Sequence, residues 1–60
     1  MNIPKDPIML MSYMNTQLRD NYSSLSEFAA SNGVDEQEIT DKLAAVGYKY
    51  DEEKNQFLRG

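Results

Sequence analysis

Helix start and stop signals divide this chain into three short helical segments followed by a pair of strands. The first signal is Asp6-Pro7, because aspartate accepts hydrogen bonds from the free N–H groups of a helix start and proline fits the first helical position. The spacing predicts a helix over residues 7–22. At 100° per residue, five apolar residues share one face and are expected to be buried: Ile8, Met11, Met14, Leu18 and Tyr22.

The second and third helices are marked in the same way. Residues 24–27 have the Ser-x-x-Glu form of a capping box, which predicts a helix over 25–32. Gly33 then suits the left-handed conformation that follows many helices. Asp35 opens a third helix, predicted over 36–46. The expected buried stripes are Leu25, Phe28 and Ala29 in the second helix, and Ile39, Leu43 and Val46 in the third.

Alternating residues near the end of the chain predict a β-hairpin over 48–58. Its polar turn includes Asn55, a residue type that tolerates positive φ. A lone hairpin is marginal in water, so Tyr48, Tyr50 or Phe57 should pack on the helices. The predicted fold is mainly α: a single domain over residues 1–60, built as a three-helix, helix-turn-helix-like bundle with a C-terminal β-hairpin.

The chain is too short to bury a large core, which limits the ways in which it can be stabilised. Its 60 residues include no cysteine and no histidine, so neither a disulfide nor the usual zinc ligand sets can supply support. Self-association is the remaining common device. We therefore expect a homodimer.

The first half of helix 1 is apolar nearly all round. Met9, Leu10 and Tyr13 lie outside the centre of its predicted buried face. Either the hairpin covers these residues or a second chain does, and methionine suits adaptable binding surfaces. We favour a partner surface formed by Met9, Leu10 and Tyr13, contacted by another protein or by a second copy.

The spacing of Ala29, Gly33, Ile39 and Leu43 resembles the helix-turn-helix of bacterial repressors, although two short helices joined through glycine give the same pattern. DNA binding is a separate question. Residues 34–60 hold four basic and seven acidic side chains, and carboxylates repel phosphates. Nucleic acid is therefore an unlikely partner. The alternative hypothesis is a DNA-associated regulator that contacts DNA through its hairpin.

No catalytic or cofactor-binding pattern is present in the sequence. Ser24 and Ser26 have no histidine to activate them. The acidic runs 35–38 and 51–53 lack the spacing of a calcium loop, and there is no glycine-rich phosphate loop. The expectation is a non-enzyme with no cofactor, no metal and no small-molecule substrate.

No run approaches the roughly 20 apolar residues that a membrane span requires. The first residues also lack the basic start and apolar run of a signal peptide. We therefore expect a cytoplasmic protein with no membrane contact.

Two sets of segments carry a family resemblance. The first consists of residues 3–10, Asn15, 18–20 and 22–25, and the second of residues 47–51 and 55–57. Together they resemble a small bacterial family called domain of unknown function 4250. One departure is Phe28-Ala29, where family members often carry Leu-Cys, a difference of packing. The resemblance implies a bacterial, cytosolic protein of unassigned activity and transfers no functional residue.

Five polar residues lie within these segments: Asn15, Arg19, Asp20, Asn55 and Gln56. They could form a patch that recognises a partner. Alternatively, Asn15 bonds across the edge of the core, Arg19 pairs with a carboxylate such as Asp20, and Asn55 shapes the turn. We favour these structural roles, because turn-forming and buried polar groups are common structural devices.

Overall fold

The computed structural model describes residues 3–60 and contains three helices followed by two strands. Helix α1 spans Pro7–Asp20, and the Asp6 carboxylate caps it by accepting the Met9 N–H at 3.0 Å. The helix ends two residues before the predicted position, because the N–H groups of Asn21 and Tyr22 both turn back to the Gln17 carbonyl. The chain then leaves α1 towards the next helix.

Helix α2 spans Leu25–Asn32, as predicted. The Ser24 hydroxyl accepts the Glu27 N–H at 3.0 Å, while the Glu27 carboxylate accepts a bond from the Ser23 hydroxyl. Gly33 follows in the left-handed conformation with φ of 64°, which glycine adopts without steric cost.

Helix α3 spans Glu36–Ala44 and is capped by Asp35, which accepts the Gln37 N–H at 3.0 Å. It ends before the predicted residue 46, because the last N–H groups bond in tighter, three-residue turns. Val46 is therefore outside the helix and only half-buried.

The chain ends in an antiparallel hairpin of β1 (Tyr48–Asp51) and β2 (Gln56–Arg59), with Tyr50 opposite Phe57. Asn55 has the expected positive φ, 52°. Phe57 is buried, and Tyr48 and Tyr50 pack against the core as half-buried residues. The predicted class, three helices with a C-terminal hairpin, is thus confirmed.

The core lies where the three helices meet the hairpin. Its buried apolar side chains are Leu10, Met14, Leu18, Leu25, Phe28, Ala29, Ile39, Leu43 and Phe57. None of the helices in the part of the chain from residue 3 onward is long and apolar enough to cross a membrane.

The buried face of α1 differs from the predicted one. Leu10, Met14 and Leu18 form it, whereas Ile8 is 53% exposed. Leu10 and Ile8 stand about 160° apart around a helix, so the helix cannot bury both. Because β2 and α3 pack on the side of Leu10, the placement of Ile8 in the core was wrong. The placement of Leu10 on a partner surface was also wrong.

Candidate functional site

The first turn of α1 presents an exposed apolar surface formed by Ile8 and Met9. Ile8 is 53% exposed and Met9 is 62% exposed. In the described part of the chain, these two are the only large hydrophobic residues that are exposed. Water contact at two adjacent large apolar side chains is unfavourable. We call this pair the Ile8–Met9 surface.

Of the three residues predicted to form a partner surface, Met9 is exposed, but Leu10 is 1% exposed. Tyr13 is half-buried, and its ring meets the edge of Phe28 at 6.3 Å between centroids. Tyr13 thus packs against helix α2. Sequence reasoning missed Ile8, and a helical wheel centred on Leu10 would have found it.

Asn15 joins α1 to β2. The Phe57 N–H donates to Asn15 Oδ1 at 2.7 Å, and Asn15 Nδ2 donates to the Phe57 carbonyl at 3.1 Å. The amide thus satisfies both backbone polar groups of one strand residue. This matches the structural role predicted for Asn15, a bond across the edge of the core.

Asn55 ties the hairpin turn to the end of α1. Its Nδ2 donates to the carbonyls of Leu18 at 3.0 Å and Tyr22 at 2.9 Å. Its Oδ1 accepts the Tyr50 hydroxyl at 2.6 Å, and that hydroxyl oxygen accepts the Leu25 N–H at 3.1 Å. One chain of bonds therefore links the end of α1, the start of α2 and the hairpin.

Arg19 and Asp20 form an exposed ion pair, with Arg19 Nε and Asp20 Oδ1 2.9 Å apart. A second bond joins Nη2 to Oδ2 at 3.1 Å. The hydrogen bond from Arg19 holds the pKa of Asp20 below its ordinary value. The same bond raises the pKa of Arg19, which stays charged in any case.

Four of the five polar residues line one groove between α1 and the hairpin, namely Asn15, Arg19, Asn55 and Gln56, whereas Asp20 does not line it. The groove has a volume of about 530 Å³. Lys54 also lines it, and none of the described residues that line it is acidic. We call it the α1–hairpin groove.

The residues that could act chemically do not converge. Within residues 3–60, no three Asp or Glu side chains lie close enough together to hold a metal ion. Ser24 is engaged in capping α2, and Ser26 donates to the Glu36 carboxylate at 3.0 Å. The candidate functional features are therefore the Ile8–Met9 surface and the α1–hairpin groove.

Comparison with known proteins identifies one family. A family model described as Domain of unknown function (DUF4250) matches residues 4–57 of the 60-residue chain. Searches of curated proteins and of solved structures give no match.

Proposed function

The chain belongs to the family described as Domain of unknown function (DUF4250), and we propose that it acts as a small, non-catalytic protein-interaction module of the bacterial cytoplasm. The Ile8–Met9 surface carries this proposal. The two residues are neighbours on a rigid helix whose opposite face is anchored by Leu10 and Met14. Adjacent large apolar side chains exposed on a helix are a feature of binding sites.

The partner that we propose for this surface is a second copy of the chain. A specific interface buries roughly 800 Å² on each partner, which is about a fifth of the 3994 Å² that this chain exposes. A two-fold contact would remove Ile8 and Met9 of both copies from water at once. A core of this size also benefits from such support.

Sedimentation equilibrium of the wild type and of two variants tests the proposal. Met9→Glu places a charge in the Ile8–Met9 surface, and Ala30→Glu places the same charge at an exposed position of α2. We expect a dimer for the wild type and for Ala30→Glu, and a folded monomer for Met9→Glu. A wild type that remains monomeric at about millimolar concentration would refute self-association.

The alternative is a helix-turn-helix-like DNA-associated regulator. The short connection through Gly33 between α2 and α3 supports this alternative. However, Glu36, Glu38 and Asp41 lie exposed on α3, where a recognition helix carries groups that read bases. Salt-sensitive binding of the wild type to random duplex DNA would favour this alternative, whereas we expect no binding even at low salt.

A further inference from the structure

The α1–hairpin groove has features of a binding site that the Ile8–Met9 surface does not use. Its volume of about 530 Å³ falls within the range of ligand sites, about 300–1,000 Å³. The protein carries a net charge of −4, yet the described residues lining this groove include Arg19 and Lys54 and no carboxylate. The two other described grooves are each lined by carboxylates, so this groove suits an anionic group better than they do.

Hydrogen bonds hold two of the side chains that line the groove in place. The amides of Asn15 and Asn55 are held by backbone groups of Phe57, Leu18 and Tyr22. These amides are not free to bind a ligand, but they fix the distance between α1 and the hairpin. A ligand would therefore meet two elements at a fixed separation, although the exposed Arg19 and Lys54 side chains would still be ordered on binding.

Other side chains that line the groove can donate hydrogen bonds to a ligand. Asp20 occupies Nε and one N–H of Nη2 of Arg19, and within residues 3–60 the other three of the five N–H groups of the guanidinium have no partner and can reach a second carboxylate. Lys54 has no carboxylate oxygen within 4.0 Å among residues 3–60. The Gln56 amide and the Ser12 hydroxyl also line the groove.

We propose that the α1–hairpin groove binds a short acidic segment of a partner protein, with carboxylates paired to Arg19 and Lys54. The open edge of Arg19 suits two parallel bonds to one carboxylate, and Lys54 supplies a point charge for the next. Gln56 donates to the backbone of the segment. A nucleic acid fits less well, because two cations on an acidic protein give a small electrostatic footprint.

NMR titration of the full ¹⁵N-labelled chain tests this proposal, with acetyl-tetraglutamate amide as the probe. Two exposed ion pairs hold a ligand only weakly, so we expect a Kd on the order of tens of millimolar. The shifts should concentrate on the Gln56 side-chain amide and on Arg19 Nε. Acetyl-tetraglutamine amide should cause no such shifts.

Four variants separate this site from general charge attraction. Lys54→Glu and Arg19→Glu should each raise the Kd about fivefold or more. Lys49→Glu makes the same charge change on the outer face of the hairpin, away from the groove, and should change the Kd little. Asp20→Asn frees the whole guanidinium edge and should lower the Kd.

The outcomes against the proposal are equally definite. No shift at about 10 mM probe would overturn it, as would an equal loss in Lys49→Glu and Lys54→Glu. Inorganic phosphate or a thymidine octanucleotide binding more tightly than the peptide would replace it with a phosphate site. Met9→Glu should leave peptide binding unchanged. Self-association through the Ile8–Met9 surface and peptide binding in the α1–hairpin groove are therefore tested independently of each other.

Discussion

The Asn15 side chain takes the place of a neighbouring strand beside Phe57, because its amide bonds to both the N–H and the carbonyl of that residue. Phe57 is buried, and β1 lies on the other side of β2. A two-stranded hairpin leaves one edge of each strand without a strand partner. Here one helical side chain covers the middle of that edge, which attaches the hairpin to α1.

Replacing Asn15 with alanine should destabilise the protein by about 2 kcal/mol. The backbone N–H and carbonyl of Phe57 then lose their hydrogen-bond partner at a partly buried position. Chemical denaturation would show this as a lower midpoint. Asn21→Ala is the matched control, since among the described residues its side-chain amide makes only one solvent-exposed hydrogen bond, to Gln17 Oε1, and it should cost less than about 0.5 kcal/mol. Equal losses in the two variants would contradict the role given to Asn15.

Tyr50→Phe should cost about 1–2 kcal/mol, because its hydroxyl bonds to both Asn55 and the Leu25 N–H. Tyr48→Phe removes a hydroxyl that has no hydrogen bond among the described residues and should be nearly neutral. Asn55→Gly breaks the same chain of bonds while keeping positive φ accessible. In a double-mutant cycle measured by denaturation, Tyr50→Phe and Asn55→Gly should therefore be non-additive, and additive losses would argue against one connected network.

The parts of the fold that the sequence predicts correctly depend on neighbouring residues. Asp6, Ser24 and Gly33 act on backbone groups within a few positions of themselves, so their roles can be read locally. The buried face of α1 cannot, because apolar residues surround the helix from Ile8 onward. The positions of α3 and β2 decide which of them is covered.

In the candidate site too, some features can be predicted from neighbouring residues and others depend on residues far apart in the sequence. The sequence suggests that Asn15 bonds across the edge of the core, but its partner Phe57 is 42 residues away and no local pattern names it. The α1–hairpin groove likewise requires Arg19 and Lys54 to meet across the fold. Sequence reasoning found four of its polar residues through the family resemblance but did not group Lys54 with them, because Lys54 lies in the predicted polar turn of the hairpin.

Gly33→Ala should destabilise the protein by about 1 kcal/mol through backbone strain alone. The φ of Gly33 is 64°, and apart from Gly33 and its two neighbours no described residue has an atom within 4 Å of a Cβ built there, so no tertiary clash adds to the cost. Gly33→Asn should cost less, because asparagine tolerates the left-handed conformation better than alanine. Thermal denaturation of the three proteins should rank them Gly, Asn, Ala from most to least stable, and a reversed order of Asn and Ala would contradict this explanation.

The exposed ion pair of Arg19 and Asp20 should affect the pKa of Asp20 more than the free energy of unfolding. The hydrogen bond from Arg19 lowers the pKa of Asp20 from its ordinary value of 3.8. A carboxyl group whose pKa is lower in the folded state stabilises that state above its unfolded pKa, and the effect is lost as the pH falls through the folded pKa. In Arg19→Gln the pKa of Asp20, followed by carboxyl NMR, should rise towards 3.8, and the acid side of the stability profile should change only slightly because the pair is solvated. An Asp20 pKa that does not move in this variant would show that the ion pair does not persist in solution, and the whole guanidinium of Arg19 would then be open to the groove.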